Sequence, residues 1–362
     1  MSSLTDRLRA RIQSEGAISC HDFMATALYD EEDGYYCRER ERWGRAGDYR
    51  TSPERSRLFA ATFANYFSRL HQKLGSPAAW VLLEAGSGAG AFAEVVLETL
   101  SSQYPDVFNA TRYVIDERSS TSRALARHRL ARFDSRVEFG RLEDLQPVSA
   151  GIVFSNELLD AFPVHRVTVQ ESKLLEFFVE INEAGEFVWS TKPLSTPQLK
   201  SYFEAAGIRL REGQIAEVNL AARSWILSAA KFLQRGYLIT VDYGAEAYAL
   251  YSANGRPTGT LRAFAKHKLS ADVLANPGEQ DITSSVNWSE VINAGEASGL
   301  KTISFARQDQ FLMREGLLDE LERQVQNAGD ESARMHLRTN AREMILPNGM
   351  AASFQVLVQE KS

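Results

Sequence analysis

Short apolar runs alternate with helical stretches along most of the chain, and this alternation begins near residue 80. Residues 79–83 are all apolar, as in a buried strand, and residues 91–100 carry a helical apolar face through Phe92, Val95 and Leu100. Further strands are predicted at residues 112–116, 136–139, 151–154 and 236–241, with helical patterns between most of them. Alternating strands and helices favour a mostly parallel sheet, so the pattern predicts an α/β fold.

Two regions depart from this alternation. Residues 1–75 precede the first predicted core strand and look mainly helical, which predicts an N-terminal helical cap. Residues 165–235 interrupt the core with a hairpin over 174–189 and a helix near 221–234, which predicts an accessory insertion or lid. Residues 76–164 then form the first part of the core. Residues 236–362 form the rest of it and carry further insertions on the substrate side.

Composition and charge narrow the classes of partner. A chain of 362 residues with 44% hydrophobic residues can bury a substantial core. Its net charge of −6 comes from acidic and basic residues scattered along the sequence, so we expect no nucleic-acid partner. Its two cysteines, Cys20 and Cys37, lack metal-ligand spacing, and no apolar run approaches membrane-spanning length. We therefore predict no metal site, no membrane segment and a cytoplasmic location.

The beginning of the chain has two interpretations. Leu4, Leu8 and Ile12 lie at helical spacing with arginines between them, as in a transit peptide. Asp6 and Glu15 argue against a transit peptide, and a plain amphipathic helix is the preferred interpretation.

A glycine-rich turn follows the first predicted core strand, where residues 84–90 read Glu-Ala-Gly-Ser-Gly-Ala-Gly. Gly86, Gly88 and Gly90 allow a sharp turn and let a ligand approach where a Cβ would clash. The spacing also matches the dinucleotide fingerprint Gly-x-Gly-x-x-Ala through Ala91, and tight packing alone is a third interpretation. The turn by itself does not separate these alternatives.

The next acidic residues favour a single nucleoside as the ligand. A dinucleotide site places an acid about 20 residues after the turn, but here Asp116 and Glu117 come later, directly after residues 113–115. A carboxylate at that strand end can accept hydrogen bonds from both hydroxyls of a ribose. S-adenosylmethionine (SAM) is such a ligand, and its cationic, phosphate-free amino-acid end suits Glu84 and the backbone around Ser87.

Polar and anionic residues follow the fourth predicted core strand. Asn156, Glu157 and Asp160 come directly after residues 151–154, at the strand end where open parallel sheets bind ligands. Their carboxylates can bind a guanidinium or amine and orient its nitrogen. The alternative is helix capping, with Asn156 as the N-cap residue and the acids in the first turn.

Motifs spread over nearly the whole chain resemble the MidA-like methyltransferases, whose eukaryotic members include the arginine methyltransferase required for mitochondrial complex I assembly. The matching segments are residues 24–29, 34–36, 47–54, 84–90, 156–164, 241–244, 258–264, 281–283 and 346–350. The resemblance implies a class I, Rossmann-like methyltransferase fold with SAM as the cofactor.

The resemblance also implies roles for individual residues. Gly86, Gly88, Gly90 and Glu117 are expected to bind SAM, with Asp116 as the competing ribose ligand. Leu142 and Glu143, just after the third core strand, are expected near the adenine. Asn156 is a candidate for binding both the cofactor and the acceptor. The chain departs from the family pattern at Ser87, where Pro is frequent, and at Ala351, where Gly is frequent. It also departs at Ser285 and Asn287, where His and Asp are more typical.

Several further residues are candidates for the site. Thr51 and Ser52 belong to a segment that either closes over SAM or forms a turn in which Ser52 caps a helix starting at Pro53. His165 and His267 are candidate bases for a hydroxyl or carboxyl acceptor, although a lone histidine is more often structural. Tyr243, after the fifth core strand, either lines the acceptor pocket or packs at the strand end.

The resemblance favours transfer of a methyl group to an arginine of a protein or peptide, with Glu157 and Asp160 binding the guanidinium. Two alternatives stay open: a small-molecule N- or O-methyltransferase of specialised metabolism, and a nonenzymatic assembly factor that retains a SAM pocket. A homodimer is compatible with all three interpretations.

Overall fold

The strand, turn and helix predicted near residue 80 are present in the structure, a computed structural model that describes residues 3–38, 57–265, 268–270, 272–346 and 350–362. The helices are α1 Leu4–Glu15, α2 Cys20–Tyr29, α3 Arg57–Lys73, α4 Ala91–Gln103, α5 Pro105–Ala110, α6 Ser120–Arg129, α7 Gln198–Ala206, α8 Leu220–Phe232, α9 Ala247–Leu250, α10 Trp288–Ala297, α11 Gln308–Arg314, α12 Leu317–Gln326 and α13 Glu331–Ile345. Single 3-10 turns span Ala131–Phe133, Leu142–Asp144 and Met350–Ser353.

The strands are β1 Ile18–Ser19, β2 Trp80–Ala85, β3 Thr111–Asp116, β4 Val137–Phe139, β5 Gly151–Asn156, β6 His165–Gln170, β7 Lys173–Ile181, β8 Phe187–Lys192, β9 Ile215–Val218, β10 Gly236–Ala245, β11 Arg262–Ala265, β12 Lys268–Ser270, β13 Asp281–Thr283, β14 Val286–Asn287, β15 Lys301–Arg307 and β16 Phe354–Lys361. The five predicted core strands correspond to β2, β3, β4, β5 and β10. The α/β fold is therefore confirmed.

The chain folds into two compact units that are discontinuous in sequence. The first consists of Met1–Glu41, Leu159–Trp225 and Gly244–Asn293, and the second of Arg42–Leu158, Ile226–Tyr243 and Ala294–Ser362. The predicted cap region contributes α1 and α2 to the first unit and α3 to the second. The four functional regions proposed from the sequence stay a prediction.

The second unit is built on a mixed, mostly parallel sheet with the strand order β15-β16-β10-β5-β2-β3-β4. Strands β10, β5, β2, β3 and β4 pair in parallel, whereas β16 is antiparallel to both β10 and β15. The chain order reverses between β2 and β5, which is the switch point where open α/β sheets bind ligands beyond the carboxyl ends of their strands.

Aromatic side chains fill the core on one face of this sheet. The ring of Phe63 in α3 packs against Phe154 of β5 at 5.1 Å and against Phe311 of α11 at 5.5 Å between centroids. Phe92 of α4 stacks on Phe154 at 4.4 Å. Because Phe92 belongs to the helix that follows the glycine turn, this packing fixes the helix that leaves the turn.

Strand β10 is longer than its sequence pattern predicts. The apolar run ends at Val241, but the strand continues to Ala245 because β16 pairs with it as far as Tyr243, which lies opposite Phe354, and β14 pairs with Gly244 and Ala245. Nothing in the local pattern of residues indicates this antiparallel partner. Tyr243 therefore lies within a strand rather than after one.

The first unit contains a five-stranded antiparallel sheet in the order β1-β7-β6-β9, with β8 paired to β7. The predicted hairpin over 174–189 corresponds to β7 and β8, and the N–H of Gly185 donates to the carbonyl of Asn182 in its turn. A three-stranded sheet of β11, β12 and β13 and the parallel pairing of Gly244 with Val286 in β14 complete the strands described for this unit.

Helix α1 follows the amphipathic pattern read from the sequence. Leu4, Leu8 and Ile12 are buried, and Ser3 forms a reciprocal capping box with Asp6. None of the helices in the described ranges is both long and apolar enough to cross a membrane.

Candidate active site

Glu84 lies at the carboxyl end of β2, buried in the second unit, where its Oε2 accepts a 2.7 Å hydrogen bond from the hydroxyl of Tyr113 on β3. Burial raises the pKa of Glu84 from 4.5 to about 8, although the bond from Tyr113 acts in the opposite direction. The nearby Glu117 raises it further. A carboxyl group held this way is ready to release its proton when a cation arrives beside it.

The glycine turn adopts a backbone conformation that side chains disfavour. Gly86, Gly88 and Gly90 have φ angles of 70°, 54° and 76°. A Cβ on Gly86 would also lie only 2.9 Å from Cδ1 of Leu158. The glycines are therefore required by conformation as well as by close approach, and Ser87 is buried between them.

The two acids after β3 hold the loops on either side of the predicted ribose position. Glu117 accepts 2.8 Å hydrogen bonds from the backbone N–H groups of Gly88 and Ser119, one on each carboxylate oxygen. Asp116 accepts from the N–H of Leu142 at 3.1 Å and pairs with Arg141 at 3.0 Å. Their assignment as ribose ligands stays a prediction, because both carboxylates already make contacts within the protein.

Leu142 and Glu143 start the 3-10 turn that Asp116 anchors. The Leu142 side chain is buried, whereas the Glu143 side chain is 70% exposed and lies 3.8 Å from Arg141. Burial raises the pKa of Asp116, and the hydrogen bond from Leu142 acts against this rise. The turn is thus held at the carboxyl edge of the sheet, where the adenine was predicted.

Asn156 and Glu157 end β5 with a strained backbone. Glu157 has a φ of 52°, in the left-handed region that non-glycine residues seldom adopt, and its N–H donates to the carbonyl of Val241 at 2.9 Å. The amide of Asn156 donates to Oε1 of Glu157 at 3.0 Å. Strain of this kind concentrates at functional sites, where surrounding structure enforces it.

The side-chain oxygen of Asn156 is buried and has no hydrogen-bond partner in the described part of the chain. A buried acceptor without a donor is unusual and costs about 1–3 kcal/mol. It points to a ligand group that donates a hydrogen bond at the end of β5.

Tyr243 is half-buried on β10, and its ring meets Phe354 of β16 edge-on at 5.4 Å. Its backbone N–H donates to the carboxylate of the preceding Asp242 at 2.8 Å. The ring therefore has a packing role at the carboxyl edge of the sheet, and its contact with an acceptor stays a prediction.

Asp160 lies in the first unit, in a segment held by hydrogen bonds to successive carbonyl groups. Asn219 donates to the carbonyl of Leu159 at 2.9 Å, the N–H of Ser284 to that of Asp160 at 2.9 Å, and the hydroxyl of Tyr29 to that of Ala161 at 2.9 Å. The donors come from separate parts of the sequence, so this backbone is fixed by tertiary structure, with the Asp160 side chain buried.

His165, also in the first unit, forms a close pair with Glu176. Its Nδ1 lies 2.7 Å from Oε1 of Glu176, and its ring stacks on His21 at 4.7 Å. Burial raises the pKa of Glu176, but the hydrogen bonds from His165 and from the N–H of Ser195 outweigh it and leave that pKa lowered. This environment suits a structural histidine, and its role as a base stays a prediction.

Three predicted site residues, Thr51, Ser52 and His267, lie outside the described residues. Within the described ranges, no cluster of His, Cys, Asp and Glu residues is arranged to hold a metal ion.

Comparison with known proteins decides the class of enzyme. Residues 62–306 match the family model described as "Putative S-adenosyl-L-methionine-dependent methyltransferase". The chain belongs to this methyltransferase family. It is a SAM-dependent methyltransferase.

Relatives of this methyltransferase carry a more specific name. A Drosophila melanogaster relative, "Protein arginine methyltransferase NDUFAF7 homolog, mitochondrial", is 28% identical over 82% of this chain and 71% of its own length. The Homo sapiens protein arginine methyltransferase NDUFAF7 is 25% identical over 96% of this chain and 81% of its own length.

A solved structure is similar over the whole methyltransferase chain. A COG1565 superfamily member from Burkholderia thailandensis, bound to S-adenosyl-homocysteine, is 28% identical with a TM-score of 0.87, covering 99% of this chain and 92% of that chain. A native structure of a COG1565 superfamily protein from the same organism gives a TM-score of 0.84 over 99% of this chain and 91% of that chain. The Rossmann-like methyltransferase fold and the SAM cofactor are thereby confirmed.

The residues of the second unit fit this cofactor. The positive φ angles and the contact at Gly86 leave backbone exposed to a ligand, and buried Glu84 can pair with a cation. The unpaired oxygen of Asn156 can accept from an ammonium or guanidinium group. No phosphate is needed to explain any of these features.

Two residues that shape the site were not singled out as candidates from the sequence. The hydroxyl of Tyr113 contacts Glu84, and Leu158 packs against Gly86. Alternation along β3 places Tyr113 on one face of the sheet, but only the strand register shows that this face carries Glu84. For Leu158 the sequence held no comparable signal.

Proposed function

We propose that this methyltransferase transfers a methyl group to an arginine side chain of a protein. The relatives named protein arginine methyltransferases support this acceptor, at 25–28% identity over most of the chain. The observation that carries the proposal is the strained Glu157, whose carboxylate is tethered to Asn156 at the carboxyl end of β5.

Geometry and charge at Glu157 suit a guanidinium. When bound, SAM supplies an electrophilic methyl group whose leaving group is a neutral thioether, so the protein needs no acid to assist departure. The carboxylate of Glu157 can accept two parallel N–H bonds from a guanidinium and fix the plane of the acceptor. As the nitrogen–methyl bond forms and the methyl–sulfur bond breaks, the carboxylate would stabilise the positive charge of the guanidinium and accept the proton that the attacking nitrogen releases.

Asp160, in the first unit, stays a sequence-based candidate for a second acceptor carboxylate. Its backbone is held by Asn219, Ser284 and Tyr29 through the neighbouring carbonyls, so its position does not depend on a mobile loop. Positioning of this kind is the main contribution that an enzyme makes to an in-line displacement.

The proposal is tested by incubating the purified protein with methyl-labelled SAM and cell lysate, then hydrolysing the labelled protein to amino acids. We expect the label in a protein band and its recovery as methylarginine. Label in an extractable metabolite instead would contradict a protein acceptor and favour the small-molecule alternative. No label in either fraction, with intact S-adenosylhomocysteine binding, would favour the nonenzymatic alternative.

Glu157→Gln is the variant for this assay, with Glu138→Gln as its control, since the Glu138 side chain is 55% exposed on β4. We expect Glu157→Gln to lower methyl transfer by about 100-fold, because the negative charge that pairs with the guanidinium is removed. Affinity for S-adenosylhomocysteine should stay within about twofold, and Glu138→Gln should change neither quantity.

A further inference from the structure

Arg256 carries a positive charge that no acid compensates in the part of the chain that the structure describes. It lies in the first unit, on the loop between α9 and β11, and its Nη1 is buried without a hydrogen-bond partner among the described residues. Burial lowers the pKa of Arg256, and the charge of Arg262 lowers it further. A desolvated guanidinium is unfavourable unless an anion pairs with it, so this charge points to an anionic ligand.

The loop that carries Arg256 is held by backbone contacts rather than by the guanidinium. The N–H of Arg256 donates to the carbonyl of Ser252 at 2.8 Å. The carbonyl of Thr258 accepts a hydrogen bond from Nη2 of Arg166 at 3.3 Å. Arg256 itself is half-buried, so part of the residue is open to solvent and to a ligand.

The sequence around Arg256 is basic, although the chain as a whole is acidic. Residues 247–270 contain four Lys and Arg residues and no Asp or Glu, whereas the full chain has 47 acidic and 41 basic residues. The carboxylate that this loop contacts belongs to Glu217 on β9. It accepts a 2.6 Å hydrogen bond from the N–H of Thr260 and lies 3.3 Å from Arg166. The local excess of positive charge favours an anion from outside the chain.

The loop leads into β11, whose pairing places it beside the segment that carries Asp160. Arg262 lies opposite Thr283 in the register of β11 with β13. The residue after Thr283, Ser284, donates from its N–H to the carbonyl of Asp160 at 2.9 Å. The basic loop therefore ends next to a segment that the sequence associates with the methyl acceptor.

We propose that Arg256 binds a carboxylate of the methyl acceptor, an inference that rests on the proposed function. A guanidinium offers paired N–H groups that match the two oxygens of a carboxylate. Arg262 adds positive charge to the same loop. The carboxylate has two possible sources, an acidic side chain near the target arginine of a protein or the α-carboxylate of a free amino acid. The proposed protein acceptor selects the acidic side chain.

Arg256→Met is the test variant, because it removes the charge and keeps an unbranched side chain. Arg209→Met is its matched control, since it changes the net charge equally at an exposed residue of the same unit. We expect Arg256→Met to keep or raise the melting temperature, because a desolvated charge without a counter-ion is removed. Arg209→Met should change the melting temperature by no more than about 2 °C.

Binding is measured by titration calorimetry with two synthetic peptides, Ac-Glu-Gly-Arg-Gly-Glu-NH2 and the same peptide with glutamine in place of both glutamates. We expect the wild type to bind the glutamate peptide about tenfold more tightly, and Arg256→Met to bind both peptides equally. Arg209→Met should keep the preference. The Kd for S-adenosylhomocysteine should stay within about twofold in all three proteins.

Free arginine and arginine amide distinguish the two sources of the carboxylate. Both compounds carry the guanidinium, but only free arginine carries an α-carboxylate. Equal affinities for the two compounds are expected if the carboxylate belongs to a protein side chain. A preference for free arginine that Arg256→Met abolishes would assign the site to a free amino acid and overturn the protein source.

Three further results would overturn the inference. Equal affinity of the wild type for the two peptides, or a preference that Arg256→Met retains, would remove Arg256 from acceptor recognition. A tenfold weaker Kd for S-adenosylhomocysteine in Arg256→Met would assign this residue to the cofactor. A melting temperature lowered only in Arg256→Met would show that its charge is compensated in the free protein.

Failure of the proposed function has a separate signature. The peptides report binding without turnover, so they test Arg256 whether or not methyl transfer occurs. A wild type that prefers the glutamate peptide but makes no methylarginine from lysate protein would refute the proposed function and leave the carboxylate site in place.

Discussion

The hydroxyl of Tyr113 donates a 2.7 Å hydrogen bond to Oε2 of Glu84, and both side chains are buried beneath the glycine turn. This bond favours the ionised carboxylate, while burial favours the neutral acid and dominates, so the pKa of Glu84 rises to about 8. In the free protein at neutral pH this carboxyl group is mostly protonated. A cationic ligand placed beside it would draw the proton away.

Affinity for S-adenosylhomocysteine, which carries an ammonium group, is therefore expected to depend on pH. Below the pKa of about 8, binding must expel a proton from Glu84, so the affinity should rise as pH increases from 6 to 8 and then level off. Tyr113→Phe should move this rise to higher pH, because it removes the bond that lowers the pKa of Glu84. Titration calorimetry in buffers of different ionisation enthalpy measures both the affinity and the proton released.

Glu84→Gln is the control for this pH dependence and should abolish it. Burial raises the pKa of Glu84 in the folded protein above the 4.5 that it has in the unfolded chain. The free energy of unfolding should therefore fall as pH rises from 4.5 to about 8, and Glu84→Gln should not show this fall. If the affinity of the wild type does not depend on pH, Glu84 does not contact the charged end of the cofactor.

Gly86→Ala should impair both cofactor binding and stability. The substitution places a Cβ 2.9 Å from Leu158 and forces alanine to a φ of 70°, which should weaken S-adenosylhomocysteine binding by at least about tenfold and cost about 1–2 kcal/mol of stability. Gly16→Ala is the matched control, since its φ is 85° and no atom lies within 4 Å of its Cβ position. It should show the stability loss alone, as measured by urea unfolding and calorimetry.

Glu157→Gly should stabilise the protein while removing its activity. Relief of the φ of 52° is expected to add about 0.5–1 kcal/mol to the free energy of unfolding, net of the entropy that glycine adds to the unfolded chain. Methyl transfer should fall by about 100-fold. Ser172→Gly, at an exposed turn with a φ of 61°, should give a similar stabilisation with full activity, and a loss of stability in Glu157→Gly would argue against stored strain.

Tyr29→Phe tests the support of the Asp160 segment. Loss of the hydroxyl that donates to the Ala161 carbonyl should cost about 1 kcal/mol of stability and raise the KM for the acceptor severalfold, with an unchanged S-adenosylhomocysteine Kd. Tyr237→Phe removes a comparable bond to Glu360 and should lower stability alone. Equal KM values in the two variants would show that this contact serves only folding.

Much of the second unit could be predicted from local pattern. The apolar runs at β2, β3, β4, β5 and β10 and the glycine turn were visible because strand burial and left-handed turns restrict which residues can occur. The pattern at β10 failed after Val241, since Asp242 and Tyr243 join the strand only through pairing with a segment more than a hundred residues later. The residues near β10 in the sequence do not indicate such a partner.

By itself the sequence determined the fold class, the glycine-rich turn after the first core strand and the polar residues that end parallel strands, because each depends on neighbours in the chain. Tertiary structure alone decided which groups meet: Tyr113 with Glu84, Glu117 with the N–H of Gly88, and Phe63 between Phe154 and Phe311. Strand register and helix packing set these distances, and they arise from contacts between residues far apart in sequence. For the same reason the left-handed backbone of Glu157 and the buried Nη1 of Arg256, unpaired among the described residues, became visible only in the folded protein.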